Sequence, residues 1–269
     1  MSNLFIIATI SSAAMFIAWL WQQQHKNAGI ADVVWAFGMM LTGPVYAFTG
    51  AAPLVLQCAL AGLSFIWFLR LGWHLLRRFN SEQEDGRYQT MRQAMGNYSG
   101  FGFLLFFQLQ AGFIWLLTLP FWAVAQNTAP NKFLLISALL LALFALWGET
   151  TADQQLAQFR QQPENKGKTC RQGWWRYSRH PNYFFEWLHW FAYPLMGWGG
   201  YYQLALWLAP VVMFAFLYFF TGIPYTERQA LLSRGDDYRQ YQQSTSAFFL
   251  WWPKSSLTQK NNEKYHATD

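Results

Sequence analysis

Long apolar runs alternate with short polar segments along this chain of 269 residues. A helix that crosses the hydrocarbon core of a bilayer needs about 20 mostly apolar residues, and several runs approach or exceed that length. We predict membrane-spanning helices near residues 3–21, 30–49, 53–76, 101–126, 132–149, 183–199 and 201–222. The pattern therefore predicts an all-α, polytopic membrane protein with seven transmembrane helices.

The pattern changes after the last of these runs, in "YTERQALLSRGDDYRQYQQSTSAFFLWWPK". Here apolar side chains recur at roughly helical spacing among charged ones, namely Leu231, Leu232, Tyr238, Tyr241 and Phe248. This is typical of a helix that lays one face on a membrane surface or on neighbouring helices. We predict a cytoplasmic helical cap that contributes to function, and the alternative is an interfacial helix that only anchors the C-terminus.

The organisation of the chain is otherwise simple. No internal repeat or change of composition marks a second domain, so we expect residues 1–269 to form a single membrane domain. Residues 255–269 are polar and are predicted to be a loose tail. The first apolar run follows Met1-Ser2-Asn3 without a basic stretch, so we interpret it as a retained helix and not as a cleaved signal peptide.

The composition supports a location in a membrane. Charged residues make up 12% of the chain and hydrophobic residues 54%, whereas a soluble domain carries about 25% charged residues. The modest mean hydropathy of +0.06 agrees with this location, because Trp and Tyr score low on that scale but favour the bilayer interface. Cys58 and Cys170 lie in different settings, so we expect two free thiols and neither a disulfide framework nor a metal site.

The positive charge is distributed unevenly between alternate loops. The formal net charge is +6, and the basic residues lie mainly in segments 22–29, 77–100 and 150–182 and after residue 222. The other loops hold almost none, with Lys132 as the exception. Because basic loops stay on the cytoplasmic side, we predict an N-terminus outside and a C-terminus in the cytoplasm. The charge is thus a topology signal, and we expect no nucleic-acid partner.

Several ionisable side chains lie within or at the ends of the predicted spans. They are Asp32, Arg70, His74, Glu149, Asp153, Glu186, His189 and Glu227. A charged group inside a bilayer is costly and usually faces a bundle interior or a wet cavity, so these residues are candidates for a site. The alternatives are structural: Asp32 pairs with Arg70, His74 reaches the interface, and His189 is a hydrogen-bonded core histidine.

A basic, aromatic segment precedes the predicted sixth span. In "FRQQPENKGKTCRQGWWRYSRHPN", guanidinium groups suit phosphate recognition and aromatic faces suit stacking on a flat heterocycle. Pro181 and Asn182 suit the beginning of a helix, which also favours phosphate. The alternative is positive-inside charge with an interfacial aromatic belt. That alternative leaves unexplained why Asn182, Tyr183 and Glu186 follow on one helix face.

At these residues the chain resembles a known superfamily. "GWWRYSRHPNYFFE" resembles the C-terminal signature of the steroid 5α-reductase and sterol C-14 reductase superfamily, and more closely its bacterial branch of DUF1295-like membrane proteins. "ETTADQQLAQFR" and "TERQALLSRGDDYRQYQQST" resemble the segments before and after that signature, in the same order. The resemblance covers residues 145–254.

The resemblance implies a seven-helix reductase of the bacterial inner membrane that binds NADPH in a cytoplasm-facing cavity. Asn182, Tyr183 and Glu186 would hold the nicotinamide-ribose end, with Trp175 and Asp153 beside it. The remaining cofactor residues that it implies are the phosphate-binding Arg160, Lys168, Arg171 and Arg179, the neighbouring His180, and the closing residues Glu227, Tyr238 and Tyr241.

Two departures limit what the resemblance says about the substrate. Phe185 stands where family members usually have Gly, and "GIADVVWAFGMM" replaces the Gln-Glu pair that binds the enone oxygen in steroid reductases. We therefore expect hydride transfer to a carbon–carbon double bond of a lipid or steroid-like substrate that the sequence does not define. Candidate proton donors are Asp32, His74 and Tyr88, with Arg70 as an orienting group.

Two other functions stay open from the sequence. A membrane methyltransferase that uses S-adenosylmethionine also has an "RHP-x-Y" turn and an acidic C-terminal segment, although it usually carries Glu-Glu where this chain has Thr226-Glu227. A non-enzymatic lipid-binding or scaffold protein of the membrane with a degenerate site is the third possibility.

Overall fold

The computed structural model describes residues 2–81, 84–220 and 222–254. The regular elements within these ranges are all helical, as predicted. Six helices among the described residues are long and apolar enough to cross a membrane, namely Asn3–His25, Ile30–Thr49, Leu54–Asn80, Gly86–Ala125, Lys132–Gln161 and Ala205–Arg234. Their length and composition are those of a multi-pass membrane protein.

The helices are joined by connections of different lengths, and the longest, residues 162–180, lies between α6 and α7. They are α1 (Ser2–His25), α2 (Ile30–Thr49), α3 (Leu54–Ser81), α4 (Gly86–Met95), α5 (Ser99–Ala125), α6 (Lys132–Gln161), α7 (Pro181–His189), α8 (Ala192–Met196), α9 (Leu208–Ala215), α10 (Ile223–Arg234) and α11 (Asp236–Ser244). Short 3₁₀ turns lie between some of them, and a π-helical turn, Phe216–Phe220, follows α9.

The described residues divide into two compact units. The first unit holds the residues up to Leu139 together with Tyr193–Leu206, and the second holds Leu140–Ala192 together with the residues from Trp207 onward. The first boundary along the chain falls inside α6. Each unit therefore has its own packing and its own set of polar residues.

The first unit is built around α2, which packs against α3 and α5. The α2–α3 contact is close at Gly43, where an added Cβ would lie 1.9 Å from the Ser64 Oγ atom. The aromatic ring of Phe68 on α3 is fully buried and lies against the rings of Trp35 and Phe121. Small and aromatic residues thus interlock to bury the apolar faces of these helices.

In the second unit α7 packs closely on α6. An added Cβ at Gly148 would lie 2.3 Å from the Phe185 ring, and Phe185 is fully buried. The ring of Trp174 meets Phe185 edge to face at 5.1 Å. Phe185 is the residue that departs from the resembled pattern, and the glycine on the facing helix provides the space for its ring.

The segment predicted as the sixth span consists of two short helices. Helices α7 and α8 have 9 and 5 residues, and an α-helix rises about 1.5 Å per residue, so neither alone crosses a hydrocarbon core of about 30 Å. Pro194 lies inside α8 and has no N–H to donate to the carbonyl of Trp190, where the helical run is interrupted. The described residues therefore contain six helices that are long enough to span a membrane, and not the seven that we predicted.

The last candidate span, Ala205–Arg234, ends later than the predicted span 201–222 and includes Glu227, which we expected just after it. The following segment is helical as predicted: α10 and α11 meet at Gly235, whose φ of 55° favours glycine. Tyr238 and Tyr241 are buried against Ala230, as their spacing indicated.

Two other predicted apolar side chains of the C-terminal segment, Leu232 and Phe248, differ in burial. Leu232 is 75% exposed and does not take part in the cluster, whereas Phe248 is buried. The cytoplasmic location of this segment and the orientation of the chain stay predictions. The predicted tail, 255–269, lies outside the described residues.

Candidate functional site

A line of polar side chains runs along the facing sides of α6 and α7. On α7, Asn182, Glu186 and His189 are spaced by four and three residues and share one face. On α6, Glu149 lies one turn before Asp153. The Asn182 amide nitrogen donates to the Asp153 carboxylate over 3.4 Å, which joins the two faces. We call these five residues the polar seam.

In the polar seam, the Oδ1 atom of Asn182 is buried and has no hydrogen-bond partner within the described structure. An unpaired buried acceptor costs about 1–3 kcal/mol, so such atoms are rare in folded proteins. By contrast, the carboxylate of Glu186 accepts a hydrogen bond from the Trp190 indole over 2.9 Å. The Asn182 oxygen is therefore positioned to accept a hydrogen bond from a bound molecule.

Arg179, just before α7, holds the C-terminal segment in place. Its Nε atom donates to Glu227 over 2.6 Å, and its Nη1 atom donates to the carbonyls of Gln242 and Thr245 over 2.8 and 2.9 Å. Arg179 and Glu227 are 12% and 17% exposed. The donors of Arg179 are thus directed at acceptors of the protein, and its predicted contact with a phosphate stays a prediction.

The Glu227 carboxylate also contacts polar side chains other than Arg179, and we call Glu227 with Arg179 and these partners the Glu227 hub. Gln242 donates to its second oxygen over 2.8 Å, the Tyr238 hydroxyl donates over 3.4 Å, and the His180 ring nitrogen lies 3.3 Å away. Burial lowers the pKa of His180 despite this carboxylate. The His180 ring stacks on Tyr183 at 5.4 Å, so the hub connects the start of α7 with α10 and α11.

Trp175 and Tyr241 also serve as links within the second unit. The Trp175 indole donates to the Ala152 carbonyl over 2.8 Å. The Tyr241 hydroxyl donates to the carbonyls of Trp175 and Ser178, and burial raises the pKa of Tyr241. Both side chains are buried and hold the basic segment against α6 and α11.

The other predicted phosphate-binding cations are exposed. Arg160 lies in the last turn of α6 and Lys168 in the following loop. Arg171 pairs with Asp237 over 2.8 Å, and both side chains are about 40% exposed, at 42% and 38%. An exposed pair of this kind contributes about 1 kcal/mol or less.

In the first unit the structure joins two of the predicted proton donors. The Tyr88 hydroxyl donates to the Asp32 carboxylate over 2.6 Å, and Arg87 donates to the other Asp32 oxygen over 3.2 Å. Tyr88 is 3% exposed. The ion-pair partner of Asp32 is therefore Arg87, and the alternative in which Asp32 pairs with Arg70 is wrong.

Asp85 positions Arg87 and begins α4. Its carboxylate accepts from the Arg87 backbone N–H over 2.9 Å and from Arg78 over 2.6 Å. Burial alone would raise the pKa of Asp85, but the hydrogen bonds from Arg87 and the charges of both arginines outweigh it, and the pKa is lowered. Asp85 and Arg87 were not among the residues predicted from the sequence, although "EDGRY" holds a helix-capping Asp shortly before a basic and a hydroxyl side chain.

The Asp32 carboxylate also lines a small cleft. The cleft has a volume of about 30 Å³ and is bordered by residues from the α1–α2 loop, α2, α3 and the start of α4. This is room for about one water molecule. The cleft is too small to hold a lipid.

The remaining predicted residues lie on α3. The Arg70 guanidinium is 5.6 Å from the ring centroid of Trp67, and His74 is exposed one turn later. His74 is not among the hydrogen-bond partners of Asp32. Within the described ranges, no group of three or more His, Cys, Asp or Glu is arranged to hold a metal ion.

Comparison with known proteins identifies the family. The model of a family described as "Protein of unknown function (DUF1295)" matches residues 18–245, which is more than half of the chain and includes the polar seam and the Asp32–Tyr88 pair. No curated protein and no solved structure matches. The DUF1295-like part of the resemblance is confirmed, and the chain belongs to the DUF1295 family.

Proposed function

We propose that this protein is a membrane-embedded reductase. It uses NADPH to reduce a carbon–carbon double bond of a lipid or steroid-like substrate by hydride transfer. The observation that carries the proposal is the polar seam with its unpaired Asn182 oxygen beside Asp153. Buried acceptors that lack a donor, next to carboxylates, suit a ligand rich in N–H and O–H groups.

The chemistry of the polar seam fits the nicotinamide-ribose part of NADPH. A carboxamide offers two N–H donors, and a ribose offers hydroxyls. Asp153 and Glu186 are partly buried acceptors, and the Asn182 oxygen still needs a donor. NADPH supplies the hydride, and these side chains orient the ring while the surrounding aromatic side chains exclude water.

The phosphates of NADPH need cations that are open to solvent. Lys168 and Arg171 are exposed in the loop between α6 and α7, and Arg160 is exposed at the end of α6. Arg179 and His180 belong to the Glu227 hub, so in this proposal they shape the loop and do not carry the phosphate charge. Trp175 fixes the same loop through its bond to the Ala152 carbonyl.

Within the first unit, we propose that the Asp32–Tyr88 pair carries a proton. In the structure the Tyr88 hydroxyl donates to Asp32. When Asp32 is protonated it donates to the Tyr88 oxygen instead, which releases the Tyr88 hydroxyl proton for another acceptor. A positioned acid of this kind contributes about a hundredfold to ten-thousandfold in rate.

Binding of NADPH to the purified protein in detergent tests the cofactor half. Loss of one or two hydrogen bonds in Asn182→Ala and in Glu186→Gln should weaken binding about tenfold, since a hydrogen bond contributes about 1 kcal/mol and 1.4 kcal/mol is tenfold. Asn97→Ala is the matched control, because Asn97 is exposed in the first unit. A wild-type protein that does not bind NADPH, or an Asn182→Ala variant with unchanged affinity, contradicts the proposal.

One observation favours a second candidate, a methyltransferase that uses S-adenosylmethionine. The acidic residue of the C-terminal segment, Glu227, is bonded to the RHP turn through Arg179 and His180, and that family pairs such a turn with such a segment. Thermal unfolding separates the candidates, because a ligand at a hundred times its dissociation constant adds about 2.7 kcal/mol of stability. Stabilisation by S-adenosylmethionine and not by NADPH would favour the methyltransferase.

A further inference from the structure

A groove with a volume of about 760 Å³ lies at the C-terminal end of the second unit. It is bordered by Phe184 on α7, by the end of α11 and by the segment that follows α11. We call it the C-terminal groove. None of its lining residues belongs to the polar seam or to the Glu227 hub except Gln242, and its volume lies within the range of small-molecule sites, about 300–1,000 Å³.

The lining of the C-terminal groove is apolar along one part and polar along the other. The apolar part consists of Phe184, Phe249, Leu250, Trp251 and Trp252. Trp251 and Trp252 are 71% and 70% exposed. The polar part consists of Gln242, Gln243, Ser244, Thr245, Ser246 and Lys254. This division suits a molecule with a hydrocarbon chain and a polar head.

Backbone hydrogen bonds hold the groove open in one conformation. Trp251 donates to the Tyr177 carbonyl over 3.0 Å, and Lys254 donates to the Ser244 carbonyl over 2.8 Å. The Arg179 backbone N–H donates to the Ser246 carbonyl over 2.8 Å. A preformed groove avoids the entropy cost of ordering the segment when a ligand binds.

The positive charge of Lys254 at the groove favours a ligand with a negatively charged head group. Lys254 is the only charged side chain among the described residues that line it. The Arg179 guanidinium, which bonds the carbonyls of Gln242 and Thr245 behind the lining, is neutralised by Glu227. Exposed tryptophans beside a lysine are also typical of a membrane–water interface, where basic residues attract anionic lipids.

We propose that the C-terminal groove binds one anionic phospholipid. The acyl chain lies along Phe184, Phe249 and Leu250, and the phosphate pairs with Lys254 and accepts hydrogen bonds from the neighbouring serine hydroxyls. This site is separate from the proposed reductase site and does not depend on it. The bound lipid would anchor the C-terminal segment at the membrane surface.

Native mass spectrometry of the delipidated protein tests the site. The protein in detergent is mixed with equal amounts of phosphatidylglycerol and phosphatidylcholine that carry the same acyl chains. The wild type should retain one phosphatidylglycerol in preference to phosphatidylcholine. Lys254→Gln should lower that preference about fivefold, the effect of one lysine near an anionic surface. Lys132→Gln, which removes an exposed lysine from the first unit, should leave it unchanged.

A second variant separates the groove from its charge. Gln243 is exposed at the groove, so Gln243→Trp should fill part of it and reduce retention of both lipids without affecting the fold. Excess inorganic phosphate should not release the bound lipid. Equal retention of the two lipids by the wild type, an unchanged preference in Lys254→Gln, or release by inorganic phosphate would each overturn the proposal.

Discussion

The two compact units each hold a carboxylate that pairs with an arginine, but their remaining polar groups differ. In the first unit Asp32 has Arg87 and Tyr88 as partners. In the second, the Glu227 hub is equally well bonded, and in the polar seam the buried Asn182 Oδ1 atom has no partner among the described residues. A fully bonded carboxylate holds a fold together, whereas an unpaired buried acceptor costs stability and indicates a place for a ligand.

The largest effect is expected from removing the arginine of the Glu227 hub. Arg179→Ala leaves a partly buried carboxylate and two carbonyls without their donor, and breaking a buried ion pair costs about 3–5 kcal/mol. Thermal unfolding in detergent measures it. The control is Arg176→Ala, which removes an exposed arginine and should change stability by about 0.5 kcal/mol or less. An equal loss of stability in the two variants would contradict the structural role of Arg179.

The next effect concerns the close packing of α7 on α6. Gly148→Ala places a Cβ about 2.3 Å from the buried Phe185 ring, and overpacking of this kind costs about 1–3 kcal/mol. Gly112→Ala in α5 is the matched control, because no atom lies within 4 Å of the added Cβ. That control should be neutral or slightly stabilising, since Ala favours helix over Gly by about 1 kcal/mol. A Gly148→Ala variant as stable as Gly112→Ala would show that the two helices separate easily.

Acid titration should separate the contribution of His180 to stability from that of Asp85. The pKa of His180 is lowered in the folded protein, so its contribution to stability is present above its unfolded value, about 6.5, and is lost as the pH falls below it. The pKa of Asp85 is also lowered, but its contribution is lost only below about pH 4. The free energy of unfolding, measured between pH 8 and pH 3, should thus decrease in two steps.

Variants assign those two losses. His180→Gln should reduce the loss below about pH 6.5 and leave the lower one, whereas Asp85→Asn should reduce only the loss below about pH 4. A first loss that is the same in wild type and His180→Gln would contradict the role of His180. The difference in free energy of unfolding between each variant and the wild type at pH 8 is subtracted from the difference at lower pH. This removes the effect of each substitution that does not depend on pH.

The smallest effect on stability is expected at the polar seam itself. Asn182→Ala removes a long hydrogen bond of 3.4 Å and also removes the unpaired oxygen, so the two changes offset each other within about 1 kcal/mol. Thermal unfolding without ligand measures this. A loss of stability as large as that of Arg179→Ala would mean that Asn182 holds the fold together. That result would contradict the interpretation that its oxygen marks a place for a ligand.

The sequence predicted the helices better than the contacts of the site. The apolar runs located the six long helices, and the spacing of Asn182 and Glu186 placed both on one face. The 183–199 run was misread as one span because its hydropathy is continuous, whereas Pro194 and the backbone break at Trp190 divide it. Arg179 was selected as a phosphate ligand because its charge is visible in the sequence, but its partner Glu227, 48 residues away, is not.

The amino-acid sequence alone determined which segments are apolar helices and which helix faces carry polar groups, since both follow from local spacing. Only the tertiary structure decided which arginine pairs with which carboxylate. Arg87 meets Asp32 across 55 residues and Arg179 meets Glu227 across 48. Such pairs depend on how distant helices pack, and that packing also determined that the Asn182 oxygen has no donor within the described part of the chain.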